Sequence, residues 1–263
     1  MKTMVFATNN RHKILEISEM LKDIVIVKSL SDVGLSGEIP ETADTLEGNA
    51  LQKAMWVYER LPECKSGNMA CFADDTGLEV EALGGRPGVY SARYAGEHCS
   101  FDDNINKMLA KMDGQTNRKA CFRTVICLIE GAESGKRKAE SELGAESELG
   151  AESGKRKAES GEPSVRYFEG RVDGAILTER YGKEGFGYDP IFMPDRFAVS
   201  FAEMPLDVKN RISHRGRAVA KLVEYLKAES GERKAESGKR RAESGNNNSV
   251  RAYPRVRPTT SNL

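Results

Sequence analysis

Ala73-Asp74-Asp75-Thr76-Gly77-Leu78 closes the apolar run Met69-Ala70-Cys71-Phe72-Ala73, and the fold turns on how that stretch is read. The run has the length and composition of a buried strand. A strand that stops on two acids packs poorly, because ionised groups need a cation or a solvent cleft. Downstream, Gly84-Gly85-Arg86-Pro87-Gly88-Val89-Tyr90-Ser91-Ala92-Arg93-Tyr94-Ala95-Gly96 is dense in turn formers. A lone Asp-Asp reads first as a solvated hairpin turn. The rest of the chain has to supply reasons for more.

Working outward, strands and helices alternate. Thr3-Met4-Val5-Phe6-Ala7 reads as a buried strand, followed by a helix from His12 to Leu21 with Ile14, Leu15, Ile17, Met20 and Leu21 at helical spacing. Ile24-Val25-Ile26-Val27 is a second strand. A helix from Leu46 to Leu61 carries Ala50, Leu51, Ala54, Val57 and Tyr58 along one face. Phe101 to Met112 is helical, Ala120 to Ile129 is a strong strand, and Val165 to Arg171 pairs with it as a hairpin. Ser213 to Leu226 closes the domain as a helix. The expected class is α/β, with a mixed sheet flanked by helices because a hairpin interrupts the alternation.

Two segments do not belong to a packed domain. Between 131 and 163 the unit Gly-Lys-Arg-Lys-Ala-Glu-Ser occurs at 135–141 and 154–160, around Ala-Glu-Ser-Glu-Leu-Gly at 139–144 and 145–150. From 228 to 263 related units return at 231–237 and 238–244, before an Asn-rich, Pro-containing end. A period of seven invites a coiled-coil reading, but most units offer one alanine as their apolar residue and every unit holds a glycine. Such tracts bury too little surface to offset chain entropy. We expect one domain over 1–227, with 131–163 a low-complexity insertion at the hairpin tip, where extra length costs little. The tail 228–263 is expected to be disordered or weakly helical.

With 263 residues, 40 of them basic and 40 acidic, there is no net field to attract nucleic acid or an anionic membrane. No apolar stretch is long enough to span a bilayer. The start, Met1 to Ala7, lacks the apolar core and cleavage site of a signal peptide. Cys64, Cys71, Cys99, Cys121 and Cys127 form no CxxC pair and their number is odd. A reducing cytoplasm is the expected compartment. Any anionic ligand must then be held by a local cluster.

Such clusters exist. Thr8-Asn9-Asn10-Arg11-His12-Lys13 lies where the first strand meets the first helix, so backbone N–H groups and a helix dipole point at whatever docks there. An Asn N-cap with a solvated lysine explains it equally well. No Walker A loop is present, since the glycines are missing. Glu38-Ile39-Pro40-Glu41-Thr42-Ala43-Asp44-Thr45-Leu46-Glu47-Gly48-Asn49-Ala50 puts carboxylates before a helix start, either as caps or as partners of Asp74 and Asp75 around a divalent ion. Oxygen ligands without a His/Cys cluster favour Mg²⁺ over zinc. In Gly185-Phe186-Gly187-Tyr188-Asp189-Pro190 an aromatic face offers a base a stacking surface and Asp189 a polar edge. Lys209-Asn210-Arg211-Ile212-Ser213-His214-Arg215 concentrates cations at another helix start. Two cationic helix starts, an acidic strand end and an aromatic glycine turn suit a nucleoside triphosphate with Mg²⁺.

These motifs, in this order, resemble those of the Ham1/inosine triphosphatase family, pyrophosphatases of non-canonical purine nucleoside triphosphates. The matching stretches are Ala7-Thr8-Asn9-Asn10 through Lys13, Thr45 through Ala50, Ala73 through Leu78, Tyr90-Ser91-Ala92-Arg93-Tyr94, Gly185 through Pro190, and Ile212-Ser213-His214-Arg215. The resemblance implies an elongated mixed β-sheet, two lobes with a substrate cleft between them, a homodimer, and hydrolysis of ITP, dITP or XTP to the monophosphate and pyrophosphate. It implies that Thr8, Asn9, Asn10, Arg11, His12 and Lys13 bind triphosphate, that Asp75 is general base and Mg²⁺ ligand, and that Thr76 contacts substrate. It gives Phe186, Gly187, Tyr188, Asp189, Lys209, His214 and Arg215 to base and phosphates. Where many members carry Glu-Glu-Thr this chain has Pro40-Glu41-Thr42, which leaves Glu41, or an acid beside it, as the second metal ligand. Thr76 stands where serine is commoner and keeps the hydroxyl. The repeat tracts have no counterpart in the family pattern.

Overall fold

The protein is described by a computed structural model over residues 1–131 and 162–246, side chains of 232–246 aside. Two compact units divide it, Met1–Val223 and Glu224–Leu263. The elements of the first are β1 (Lys2–Phe6), α1 (Arg11–Leu21), β2 (Val25–Lys28), α2 (Leu46–Arg60), α3 (Pro62–Lys65), β3 (Ala70–Val80), β4 (Pro87–Gly88), α4 (Phe101–Lys111), β5 (Lys119–Glu130), β6 (Ser164–Ile176), β7 (Phe192–Pro194) and α5 (Leu206–Ile212). The last helix, α6 (His214–Asn246), begins in the first unit and supplies the described part of the second. Residues 228–246 are therefore helical, whereas the expectation for 247–263 lies outside the described residues. None of the described helices is long and apolar enough to cross a membrane.

Seven strands make one mixed sheet in the order β2-β1-β3-β5-β6-β7, with β4 paired to β3. β2, β1 and β3 run parallel, while β5, β6 and β7 are antiparallel additions. Met4, Val5 and Phe6 are fully buried, as a strand covered on both faces requires. The β5–β6 ladder runs from Lys119↔Ala175 to Glu130↔Ser164, so the hairpin is closed at its base. The expected low-complexity character of the insertion lies outside the described residues.

Residues alternating along β3 split the core. Cys71 and Ala73 face α2 with Val5, Ala7, Ala50, Ala54 and Val57. Further along, Leu78 and Val80 pack with Ile105, Met108, Phe122, Phe192 and Phe201. In α1 the apolar stripe is narrower than the spacing suggested: Leu15 is 69% exposed, and Glu16 takes the inward position beside Ile17.

The sequence reading ended β3 at Ala73; the strand runs on to Val80. Asp74 and Asp75 are mid-strand, registered against Ile126 and Val125 of β5. What ends near them is β1, whose last ladder pair is Phe6↔Phe72. β4 then takes the same edge at Leu78↔Gly88. The β3 edge between is open to whatever lies beside it, and that interruption positions the site. Gly77 lets β4 come so close, since a Cβ there would stand 2.8 Å from the Gly88 carbonyl oxygen.

Candidate functional site

A cavity of about 430 Å³ opens beside this stretch of β3. Its walls include Thr8, Asn9, Asn10 and Lys13 from the β1–α1 turn, Glu41 and Lys53, Asp75 and Thr76, and Phe186 through Asp189. Lys209, His214 and Arg215 complete it. The structure thus gathers most of the residues singled out from sequence, from every motif. Arg11 and His12 lie exposed on the first turn of α1.

Adjacent strand residues point to opposite faces, so the two aspartates meet different partners. Asp74 is shielded from solvent and accepts from Lys13 Nζ at 2.8 Å and from Arg215 Nε at 3.2 Å. Burial opposes its ionisation, but Lys13, Arg215 and Lys53 outweigh that and hold its pKa well below the usual range. Asp75 faces α2 instead. Its Oδ1 accepts from Lys53 Nζ at 2.8 Å and its Oδ2 from Asn49 Nδ2 at 3.2 Å. Here burial wins over Lys53 and Lys13, and the pKa is raised. Asp75 is the one of the pair that lines the cavity.

Lys53, absent from the sequence reading, is central. Its ammonium bridges Asp75 and Glu41 Oε1 (2.7 Å), and those two charges raise its pKa against the effect of burial. With Asn49 it occupies the buried face of α2 alongside Ala50, Ala54 and Val57. Two polar residues four apart inside an apolar stripe were the available signal. The Glu41 segment reaches α2 because Gly48 has no side chain; a Cβ there would lie 2.6 Å from Ala43 Cβ. Thr45 caps α2 through Gly48 N (3.0 Å).

At the first helix start the simpler reading holds for Asn10. Its Oδ1 accepts from His12 N (3.0 Å) and Lys13 N (3.3 Å), so this side chain is the N-cap. Thr76 Oγ1 shares a hydrogen bond with Thr124 Oγ1 (2.7 Å) and accepts from Arg215 Nη2 (3.3 Å).

The Phe186 side of the cavity is organised by buried ion pairs. Lys209 Nζ donates to Glu16 Oε1 and Asp189 Oδ2, both at 2.8 Å, and Arg215 Nη1 donates to Glu16 Oε2 at 2.6 Å. Asp189 Oδ2 also accepts from Phe186 N at 2.8 Å. Lys209 is therefore committed to two carboxylates, which raise its pKa against burial. Its charge also holds the Phe186 turn through Asp189. Glu16, like Lys53, was not foreseen. Both cations stand 5.3 Å from the Phe186 ring centroid. His214 is buried, stacks on Phe122 (4.5 Å, 15°), and has no hydrogen-bond partner for Nδ1 among the described residues. Burial first, then Arg215 and Lys209, push its pKa well below the ordinary value, which keeps the imidazole neutral.

No group of three or more His, Cys, Asp or Glu side chains converges as a metal site among the described residues. Asp75 and Glu41 nevertheless fit a magnesium ion that also takes water and phosphate oxygens. They are two carboxylates on one cavity, and both already reach a single cation, the Lys53 ammonium.

Fold and cavity define the class, an α/β protein whose pocket joins buried ion pairs to an aromatic face. More particularly, the chain belongs to the Ham1 family, whose model matches residues 4–225. It is 43% identical over 226 residues to a dITP/XTP pyrophosphatase of Flavobacterium johnsoniae, covering 86% of this chain and 98% of that one. A dITP/XTP pyrophosphatase of Porphyromonas gingivalis is 44% identical over 227 residues, with the same coverage. Among solved structures, the Staphylococcus aureus Ham1 protein superimposes with a TM-score of 0.66 at 34% identity, over 87% of this chain and all of its own.

Proposed function

We propose that this protein hydrolyses non-canonical purine nucleoside triphosphates, dITP, XTP and ITP, to the monophosphate and pyrophosphate, and so removes them from the nucleotide pool. The observation that carries the reading is one cavity that gathers Asp75, Lys53 and Lys13 with Phe186, His214 and Arg215. The names of the relatives agree with it.

In this reading the triphosphate lies toward Lys13 and Lys53, and the purine toward Phe186. Asp75 takes the proton from a water that attacks the α-phosphorus; the new P–O bond forms as the bond to pyrophosphate breaks. Lys13 and Lys53 lie near enough to offset charge growing on the phosphate oxygens. Asp75 and Glu41 would hold Mg²⁺, which when bound supplies further positive charge to those oxygens. His214 and Arg215 offer donors to a 6-oxo purine and leave an adenine amino group unmet. Homodimeric assembly and a cytoplasmic location belong to the same proposal, the first resting on the family resemblance and the second on the cysteine pattern.

The test is pyrophosphate release from ITP, XTP, dITP, GTP, ATP and dUTP, with and without Mg²⁺. Faster release from ITP, XTP and dITP than from ATP, with dependence on the ion, is expected; GTP shares the 6-oxo group and is not separated by these donors. Equal rates for ATP and ITP would overturn the base assignment.

A further inference from the structure

The site asks a carboxylate on an irregular segment to meet one on a strand. Residues 35–45 form neither helix nor strand, and Glu41 sits among them with its side chain 37% exposed. Its neighbours are tied to α2: Thr42 N donates to Gln52 Oε1 (3.0 Å) and Ala43 N to Asn49 Oδ1 (2.9 Å). Glu41 itself is gripped from the other side of the cavity mouth. Arg93 Nη2 donates to the Glu41 carbonyl oxygen at 3.2 Å, and Arg93 Nη1 lies 3.8 Å from Glu41 Oε2.

Arg93 is well founded for such a task. It ends a short 3-10 turn, Ser91–Arg93, and its guanidinium lies 5.1 Å from the Tyr90 ring centroid. Ser91 bolts that turn to β3. Its Oγ accepts from Leu78 N at 2.8 Å and donates to the Gly88 carbonyl at 2.6 Å, while Tyr188 Oη donates to the Ser91 carbonyl at 2.9 Å. Leu78 is three residues from Asp75 on the same strand. A continuous chain of contacts therefore runs from the Asp75 strand through Ser91 and Arg93 to the Glu41 backbone.

We propose that Arg93 is a positioning residue that sets where the Glu41 carboxylate stands relative to Asp75, and thereby tunes divalent-ion binding. The planar guanidinium serves carbonyl and carboxylate at once, which a lysine ammonium does not do with the same geometry. Partners that orient ligands in this way are worth about 10- to 100-fold in metal affinity. The proposal rests on the reading of Glu41 as facing the ion.

The experiment is Mn²⁺ titration followed by electron paramagnetic resonance, with α,β-methylene ITP present so that no turnover occurs. Arg93→Met is expected to weaken Mn²⁺ binding about 10-fold or more, with kcat at saturating Mg²⁺ and ITP within about 3-fold of the parent. Arg93→Lys should fall between the two, and it carries the comparison if Arg93→Met does not fold. Unchanged Mn²⁺ affinity in the variant overturns the proposal, as does a fall in kcat with that affinity intact. Glu41→Gln separates the layers: if it leaves Mn²⁺ affinity unaltered, or the parent binds no Mn²⁺, the reading of Glu41 has failed. If Glu41→Gln weakens binding and Arg93→Met does not, the fault lies with Arg93.

Discussion

Lys53 and Asp75 form a buried ion pair, Nζ to Oδ1 at 2.8 Å, in which the cation comes from α2 and the carboxylate from β3. The same ammonium holds Glu41. Lys53→Met would leave two carboxylates facing one another without their shared counter-charge, and would remove one of the phosphate-facing cations. We expect kcat/KM for ITP to fall by about 10²-fold or more. Urea unfolding should show a loss of about 3–5 kcal/mol, the usual cost of leaving a buried pair half made.

The adjacent aspartates should separate cleanly in variants. Asp75→Asn is expected to lower kcat by about 10²- to 10⁴-fold, with circular dichroism at a temperature below its melting close to the parent and a lowered melting temperature because Lys53 keeps only Glu41. Asp74→Asn instead strips the partner from Lys13 and Arg215, so its larger effect should be on stability, about 3–5 kcal/mol. Near-normal turnover of ITP by Asp75→Asn would refute its assigned role.

Gly48 gives a steric prediction. In Gly48→Ala the added methyl meets Ala43 Cβ at 2.6 Å, so the segment before α2 must shift. Overpacking of this kind costs about 1–3 kcal/mol. Thermal unfolding should report that loss, and pyrophosphate release should fall with it because Glu41 lies two residues before Ala43.

His214 supplies a pH dependence of stability. Its folded pKa lies well below 6.5, so below pH 6.5 the unfolded chain binds a proton that the folded one does not. Stability contributed by the neutral imidazole is full above pH 6.5 and declines as the pH falls toward the folded value. The slope is at most about 1.4 kcal/mol per pH unit. Denaturant unfolding at pH 7.5, 6.5 and 5.5 should show this decline in the parent and a shallower one in His214→Phe, which keeps a ring against Phe122.

How much of this was legible depended on whether a residue's chemistry was expressed locally. The β1, β5 and α4 segments could be read because periodicity and burial coincide in them. Thr8, Lys13, Phe186 and His214 stood out because polar or aromatic groups cluster at turns and helix starts, and Asp75 because two adjacent acids follow an apolar run. Lys53 and Glu16 did not, since each is one polar residue within a helix whose partner lies elsewhere in the chain. The true end of β3 was hidden for a related reason. Carboxylates in mid-strand are tolerable only when cations arrive from α1, α2 and α6, and a linear reading cannot see them arrive. The commitment of Lys209 to Glu16 and Asp189 was hidden in the same way.

The opposite facing of Asp74 and Asp75 makes residue count along β3 as consequential as residue type. Losing one residue between Ala70 and Asp74 would bring Asp75 to Arg215 and leave Lys53 facing Thr76, whereas gaining one would bring Asp74 to Lys53 and leave Arg215 facing Ala73. Substitutions in this strand should grade the activity, whereas single-residue insertions and deletions should abolish it outright. The β5–β6 hairpin, sealed at Glu130↔Ser164, is the reverse case: chain length beyond that seal can vary widely while the strands beneath it keep their register.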